Sequence, residues 1–466
     1  MTTISKALAS RLRSWCCRRR GQPAGNPRSP ARGSRRLLLG LGAILLAGTS
    51  LPAQAATEIS YWLWDNNQLA PYQACADAFQ KEHPDIKVKL TQLAWNDYWT
   101  TLSTGFVSGT APDVFTNHLS RYPEFVANNQ VMEITDFIRR DKVPTDIYYK
   151  GLIDLWSKDG RIYGLPKDWD TVAIVYNKDM LDKAGVSVEE LNDATWNPKD
   201  GGSFEKILAR LSLDANGNDG LSAKFDPKSV KQYGIVFPEI DGYGQSAWAH
   251  FAASNGFNFV DGLWATSYHY DAPELAASIT WQRDLGLKKG FAIPQKDVGN
   301  NASALFVAGK AALAPQGSWL ISFFGSNAKF KLGYALLPKG PMGRKTMFNG
   351  LADGIWTGTK HPEESWQWVK FLASPSCARI VGTSGVVFPA IEEAAKLSQQ
   401  ASTGKGWDVS AFLKEATPDQ TFYFPITDHS SEINSIMKAA FEQIFLNDVD
   451  AAKVLKEAND AVNALF

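Results

Sequence analysis

Four segments of the chain set tryptophan beside carboxylate or carboxamide side chains. They are Trp64-Asp65-Asn66, Asp168-Trp169-Asp170, Gln245 with Trp248, and Gln316-Gly317-Ser318-Trp319. An indole offers a flat apolar face. Asp and Asn offer planar groups that accept, and for Asn also donate, hydrogen bonds. A sugar presents the complementary surfaces, with C–H faces that stack and hydroxyls that need polar partners. A single Trp is as readily a core residue; the polar, strand-end settings are what favour a site for a polyhydroxylated ligand.

Two other chemistries use the same residue types. Asp168 and Asp170 could form the carboxylate pair of a glycosidase. The segment 167–170 reads as a flexible loop that fixes neither carboxylate, and a catalytic pair more naturally comes from two elements. The loop Asp214-Ala215-Asn216-Gly217-Asn218-Asp219-Gly220 resembles a calcium loop at its first, third and fifth positions. Its turn glycine falls one place late and Phe225 stands where a bidentate Glu is needed, so a solvated turn fits better. The chain lacks a phosphate-binding Gly-rich loop, a His-Glu-x-x-His, a paired Cys-x-x-Cys and a Gly-x-Ser-x-Gly elbow. Its six His, at 83, 118, 250, 269, 361 and 429, show no metal-ligand spacing. The sequence therefore points to no catalytic residue, metal or cofactor.

The elements that must position these residues alternate between strand and helix. Glu58–Leu63 reads as an opening strand, Ala70–Lys81 as a helix stopped by Pro84, Ile86–Leu90 as a strand and Tyr98–Phe106 as a helix. Asp113–Phe115 is a short buried strand leading to Asn117 and His118. Strands at Tyr163–Pro166 and Thr171–Tyr176 flank the 167–170 loop. A loop-rich insertion covers 192–226. Helical spacing returns at 245–253, 273–287 and 301–308. Short strands follow at Ala311–Ala314 and Leu332–Leu337, a helix at Ser365–Leu372, and two amphipathic helices over 431–466. This order predicts α/β layers with partly parallel sheets.

Residues 1–55 carry ten Lys and Arg and no Asp or Glu, then an apolar run at Leu37–Ala47 and the small-x-small pattern Ala53-Gln54-Ala55. The order reads as a cleaved signal peptide for the Sec route or, from Ser34-Arg35-Arg36-Leu37-Leu38-Leu39, the twin-arginine route. The run is too short to span a bilayer, which needs about 20 residues. The expected location is periplasmic or otherwise extracytoplasmic. Taking ten bases from the 48 that balance 48 acids leaves the remainder at −10, which argues against nucleic acid as a partner. Its length exceeds one comfortable core, so two domains are expected. Cys75 and Cys377 remain, and spacing alone leaves open whether they are bridged or free.

Several segments, in order along almost the whole remainder, carry a family resemblance. They are Ala78-Phe79-Gln80-Lys81, Pro84-Asp85-Ile86-Lys87-Val88, Gly109-Thr110-Ala111-Pro112-Asp113-Val114, Tyr163-Gly164-Leu165-Pro166 and Tyr176-Asn177-Lys178-Asp179-Met180. Gly309-Lys310-Ala311-Ala312, Gly317-Ser318-Trp319 and Trp366-Gln367-Trp368-Val369-Lys370-Phe371-Leu372-Ala373-Ser374 complete the set. The chain resembles the extracellular solute-binding protein family that includes maltose-binding protein and its sugar-binding relatives.

The resemblance implies a two-lobed, type II periplasmic-binding-protein-like α/β fold, each lobe a mixed sheet flanked by helices, with a ligand cleft at the hinge. Lobe one would take 57–166 and 335–393, and lobe two 167–334 and 394–466. Trp64, Asp65, Asn66, Asn117, His118, Asn349, Gly350 and Asp353 would line the cleft from lobe one, with His118 a donor to a ligand hydroxyl. Trp169, Asp170, Tyr243, Gln245, Trp248, Gly317 and Trp319 would line it from lobe two. Both cysteine helices would fall in lobe one, which allows a Cys75–Cys377 bridge if the Cα atoms approach within about 7 Å. The implied role is a monomeric, non-enzymatic receptor that captures a sugar or polyol, closes, and hands it to the permease subunits of an ABC transporter. The rivals are a secreted carbohydrate-active enzyme and the same fold with a non-sugar solute. An iron complex would favour paired Tyr and a phosphorylated ligand would favour Arg and Lys, of which Lys167 is the one near the hinge.

Overall fold

The computed structural model describes residues 56–466. The expected leader, its cleavage pattern, Cys16 and Cys17 lie outside the described residues.

The first strands are Thr57–Leu63 (β1), Ile86–Gln92 (β2), Val114–Asn117 (β3), Ser157–Lys158 (β4), Arg161–Ile162 (β5) and Leu165–Asp170 (β6). Then come Val172–Asn177 (β7), Leu213–Asp214 (β8), Val230–Ile235 (β9) and Ala311–Gly317 (β10). The last are Leu332–Ala335 (β11), Thr346–Ile355 (β12), Phe388–Pro389 (β13) and Thr421–Tyr423 (β14). A larger sheet has the order β13-β6-β12-β3-β1-β2, with β14 added beside β12. A smaller one has the order β11-β7-β10-β9-β8, and β4 and β5 form a separate pair. Both main sheets are mixed. In the larger, β1 runs parallel to β2 and β3 while β12 opposes β3 and β6. In the smaller, β10 runs parallel to β9 and opposes β7.

Burial follows from these positions. In β1, Ile59, Tyr61 and Leu63 are buried at alternate places, the period that turns one strand face to a core. β12, held between neighbours inside the larger sheet, is buried along its whole length. Helix Asn66–Glu82 begins where the Asp65 carboxylate accepts the Asn67 amide, a side-chain cap on an otherwise unpaired donor. It ends at His83, just before Pro84. Helices Ser430–Leu446 and Ala451–Asn463 pack on each other and on helix Pro273–Leu287.

Two sequence expectations are corrected. Residues 167–170 are not a loop but the last four residues of β6, a strand buried along its whole length and paired with β12 and β13. Polar residues disguised the strand; Lys167 is satisfied inside by Asp353, Tyr61 and Thr116. The chain therefore leaves the larger sheet at Thr171 rather than at 166. The insertion at 192–226 also holds a helix, Gly202–Leu211, whose Phe204, Ile207, Leu208 and Leu211 form a buried stripe at helical spacing. The Asp, Asn and Gly around it masked that periodicity.

Cys75 and Cys377 form a disulfide with Cα atoms 5.3 Å apart. It joins helix Asn66–Glu82 to helix Pro375–Ser384, and both residues are fully buried. Among the described residues no helix is long and apolar enough to cross a membrane.

Candidate functional site

The three parallel strands β1, β2 and β3 end on one side of the larger sheet, and each opens into a loop that faces a cavity of about 690 Å³. Ligands of open α/β sheets lie beyond such carboxyl ends, and the volume is in the usual range for small-molecule sites. β1 delivers Trp64 to Gln68, β2 delivers Gln92, Ala94 and Trp95, and β3 delivers His118, Ser120 and Arg121. Asp170 enters from the end of β6, and Asn349 and Leu351 from β12. The remaining wall comes from Glu239 to Ser246, from Trp319 and Leu320 after β10, and from Phe424, Ser430 and Asn434.

One wall is aromatic. Trp64 stands edge-on to Trp95, with ring centroids 5.1 Å apart, and packs on Trp99 at 5.4 Å. His118 meets Trp95 edge-on at 5.5 Å and Phe424 at 5.7 Å. Tyr243 packs on Phe424 at 4.6 Å, and its hydroxyl donates to the Ser430 carbonyl. These contacts lock most of the rings, yet Trp95 remains 43% exposed. A pre-positioned, uncovered indole is a stacking platform that loses little entropy on binding.

The polar groups are equally fixed. His118 Nδ1 accepts the Ser120 amide at 3.1 Å, and the Asn349 side-chain amide lies 3.0 Å from its Nε2. Burial, with the nearby Arg121 guanidinium, lowers the imidazole to about 3, so the ring is neutral at ordinary pH. The Ser318 hydroxyl donates to Asp170 at 2.7 Å. Burial and, secondarily, repulsion from Asp65 still push Asp170 up to about 7. Asp241 accepts the Tyr243 and Gly244 amides, and burial raises its carboxyl. Asp65 is oriented by Asn67 and Gln68.

Of the residues picked from sequence, Trp64, Asp65, Asn66, His118, Asp170, Tyr243, Gln245, Trp319 and Asn349 share this cavity. The others do not reach it. Trp169 is fully buried, stacked on Phe388 at 5.0 Å and beside Phe348, on the strand face opposite Asp170. Trp248 is buried against Phe441 at 4.6 Å and Phe259. Gly317 underlies the Trp319 indole, where a Cβ would come within 1.9 Å of the ring. It shapes the wall without forming it. Gly350 faces Leu152, and the Asn117 side-chain Oδ1 accepts the His118 amide. Asp353 lies in the core, 3.0 Å from Lys167 Nζ. That ion pair seals the cation considered for an anionic ligand, since the Lys167 side chain is 1% exposed. Asp170 ends β6 and belongs to the larger sheet, the same sheet that carries Asn349 and Asp353 on β12.

The sequence reading missed Trp95, Gln68, Gln92, Arg121, Glu239, Asp241, Phe424, Ser430 and Asn434. Trp95 carried a usable signal, because it opens a helix directly after a strand that runs parallel to β1. The tail residues carried none.

Asp168 shares a strand face with Asp170 but is 1% exposed and outside the cavity, and burial raises its carboxyl strongly. The Asp214 carboxylate accepts the Asn216, Asn218 and Asp226 amides and the Asn218 side chain, so the loop closes on its own donors. No cluster of three or more His, Cys, Asp or Glu suited to a metal occurs among the described residues.

Known proteins are similar to the chain at each level. It is 24% identical over 440 residues to a binding protein of Brucella abortus, covering 92% of this chain and 97% of that one. It is 25% identical over 194 residues to the arabinooligosaccharide-binding protein of Bacillus subtilis, where the match spans 39% of this chain and only 44% of the relative. An ABC substrate-binding protein of Listeria monocytogenes, solved in complex with cycloalternan, superposes with a TM-score of 0.75 at 23% identity, covering 88% of this chain and 99% of that one. That likeness shows a shared fold. The profile of the bacterial extracellular solute-binding proteins matches residues 74–411, and the chain belongs to that family.

Proposed function

We propose that this solute-binding protein captures a sugar or polyol in the 690 Å³ cavity and delivers it to the permease subunits of an ABC importer, with no covalent chemistry. The observation that carries the reading is the pairing of an exposed indole wall, Trp95 braced by Trp64, with buried polar groups at Asp170 and Asn349, the latter held by His118. Rings stack the C–H faces and the polar groups select the hydroxyls. The names of the arabinooligosaccharide-binding relative and of the cycloalternan complex support the same ligand class.

The enzymatic reading loses its best candidate, because Asp168 is sealed away from the cavity in which Asp170 lies. The lobes correspond in this reading to the two main sheets and would close over the ligand, presenting the closed form to the permease. Export by a cleaved signal peptide places the receptor outside the cytoplasmic membrane.

A thermal-shift screen of the chain without residues 1–55 tests the proposal against mono-, di- and oligosaccharides and polyols. A ligand at 100 times its dissociation constant adds about 2.7 kcal/mol. Saturable stabilisation, with the ligand recovered intact after long incubation, is expected. A screen flat for every saccharide and polyol, or conversion of a glycoside to product, overturns the reading.

A further inference from the structure

The charges facing the cavity are lopsided. Asp65, Asp170, Glu239 and Asp241 line it, against a single cation, Arg121. None of the four carboxylates takes part in an ion pair among the described residues. Arg121 is partly engaged. Its Nη1 donates to Ser431 Oγ at 2.7 Å, and its guanidinium lies over the Trp99 ring at 5.8 Å.

Hydrogen-bonding capacity is lopsided in the same direction. Asn349 is 2% exposed and lines the cavity, and only one end of its side-chain amide is engaged, by His118 Nε2. Asp241 accepts two backbone amides, Asp65 the amide and side chain of Asn67 and the side chain of Gln68, and Asp170 only the Ser318 hydroxyl, so the carboxylates keep lone pairs for a ligand donor. A buried carboxylate left with open acceptor positions is costly, so this wall calls for donors from the ligand. A neutral hydroxyl can donate once. A protonated amine donates up to three times, neutralises carboxylate repulsion and is attracted to the faces of Trp64, Trp95 and Trp319.

We propose that the cleft prefers saccharides bearing a protonated amine over their uncharged counterparts and excludes acidic saccharides. The inference rests on the saccharide-receptor reading above and narrows it to a ligand class. The upward push on Asp170 from burial and from Asp65 is what a bound cation would relieve.

Calorimetric titration tests it with compounds that differ at one substituent: glucosamine and its β-1,4 oligomers, the N-acetylated forms, the matching glucose oligomers, and oligogalacturonates. The amine series should bind at least about tenfold more tightly than the glucose series, about 1.4 kcal/mol, and oligogalacturonates should not bind. The preference should shrink with added salt in the wild-type protein. It should also shrink in Asp65→Asn and Asp170→Asn, each checked for folding by thermal unfolding. Glucose or N-acetylated oligomers binding as tightly as the amines overturns the inference and leaves the receptor reading standing. So does an uncharged saccharide outside the series, such as an arabino-oligosaccharide, that binds when every amine fails. If no saccharide or polyol binds at all, both readings fall.

Discussion

Trp95 and Trp64 meet edge to face, with centroids 5.1 Å apart and planes at 87°. The contact fixes the Trp95 ring while leaving 43% of the residue uncovered. A rigid uncovered ring is what a binding wall requires, and it separates two effects that usually travel together. Trp95→Ala should weaken saccharide binding by at least about tenfold, in the range of an interface hot spot. With 43% of the residue already uncovered, its ligand-free unfolding temperature should fall by less than that of Trp169→Ala. Titration and thermal unfolding of the same sample check both; unchanged affinity would remove Trp95 from the site.

Trp169 should behave in the opposite way. Its indole is fully buried between Phe388 and Phe348. Trp169→Ala should cost about 3–5 kcal/mol of stability, with saturable binding retained at temperatures where the variant is folded. A lost affinity with unchanged stability would return Trp169 to the cleft.

That contrast shows what could be read from sequence and what could not. Alternating strands and helices and the loop after β1 were legible, because each rests on local periodicity or on segments in family order; the Cys75–Cys377 bridge was left open, because it depends on a long-range approach of two helices. Trp169 and Trp95 were misjudged because flanking polarity stood in for exposure. Asp168 and Asp170 flank Trp169 and suggested a wet loop, but both are buried on the strand's other face. Trp95 lacks flanking carboxylates on its N-terminal side and was passed over. Phe424, Ser430 and Asn434 reach the cavity through a long-range approach of the tail, held by Ser430 donating to the Ser120 carbonyl. Nothing local encodes that contact. Lys167 was read as an open cation because its partners Asp353, Tyr61 and Thr116 lie far away in sequence.

Asp170 makes stability depend on pH with a defined sign. Its carboxyl sits at about 7 when folded against an ordinary 3.8. Between those values the folded state holds a proton that the unfolded chain has released, so this group's contribution falls as pH rises from about 4 to 7. Glu415, raised by burial to about 8 from 4.5, acts in the same direction. His118 and His250, both lowered by burial to about 3 from 6.5, act oppositely, losing stability as pH falls below 6.5. Asp170→Asn isolates one contribution. The variant should gain stability relative to the wild type as pH rises from 5 to 8, measured by denaturant unfolding. A difference that does not change with pH would contradict the burial of that charge. Because His118 stays neutral, ligand affinity should show no inflection near 6.5; any inflection near 7 should vanish in Asp170→Asn.

The disulfide ties helices that are 302 residues apart in sequence, so its loss should be felt in stability and not at the cleft. Cys75→Ala with Cys377→Ala should cost about 2–5 kcal/mol and leave saccharide affinity unchanged. Reduction of the wild type should produce the same fall in unfolding temperature, read in parallel scans with and without reductant. No fall under reduction would mean that the bridge contributes nothing to the folded state.

The most direct test of saccharide capture is a crystal structure of the protein grown with the compound that gives the largest thermal shift. The expected result is a sugar ring on the Trp95 face, with polar groups within hydrogen-bond distance of Asp170 and of the Asn349 side-chain amide. A ligand bound outside this cavity, or inside it without contact to Trp95, Asp170 and Asn349, would contradict the site.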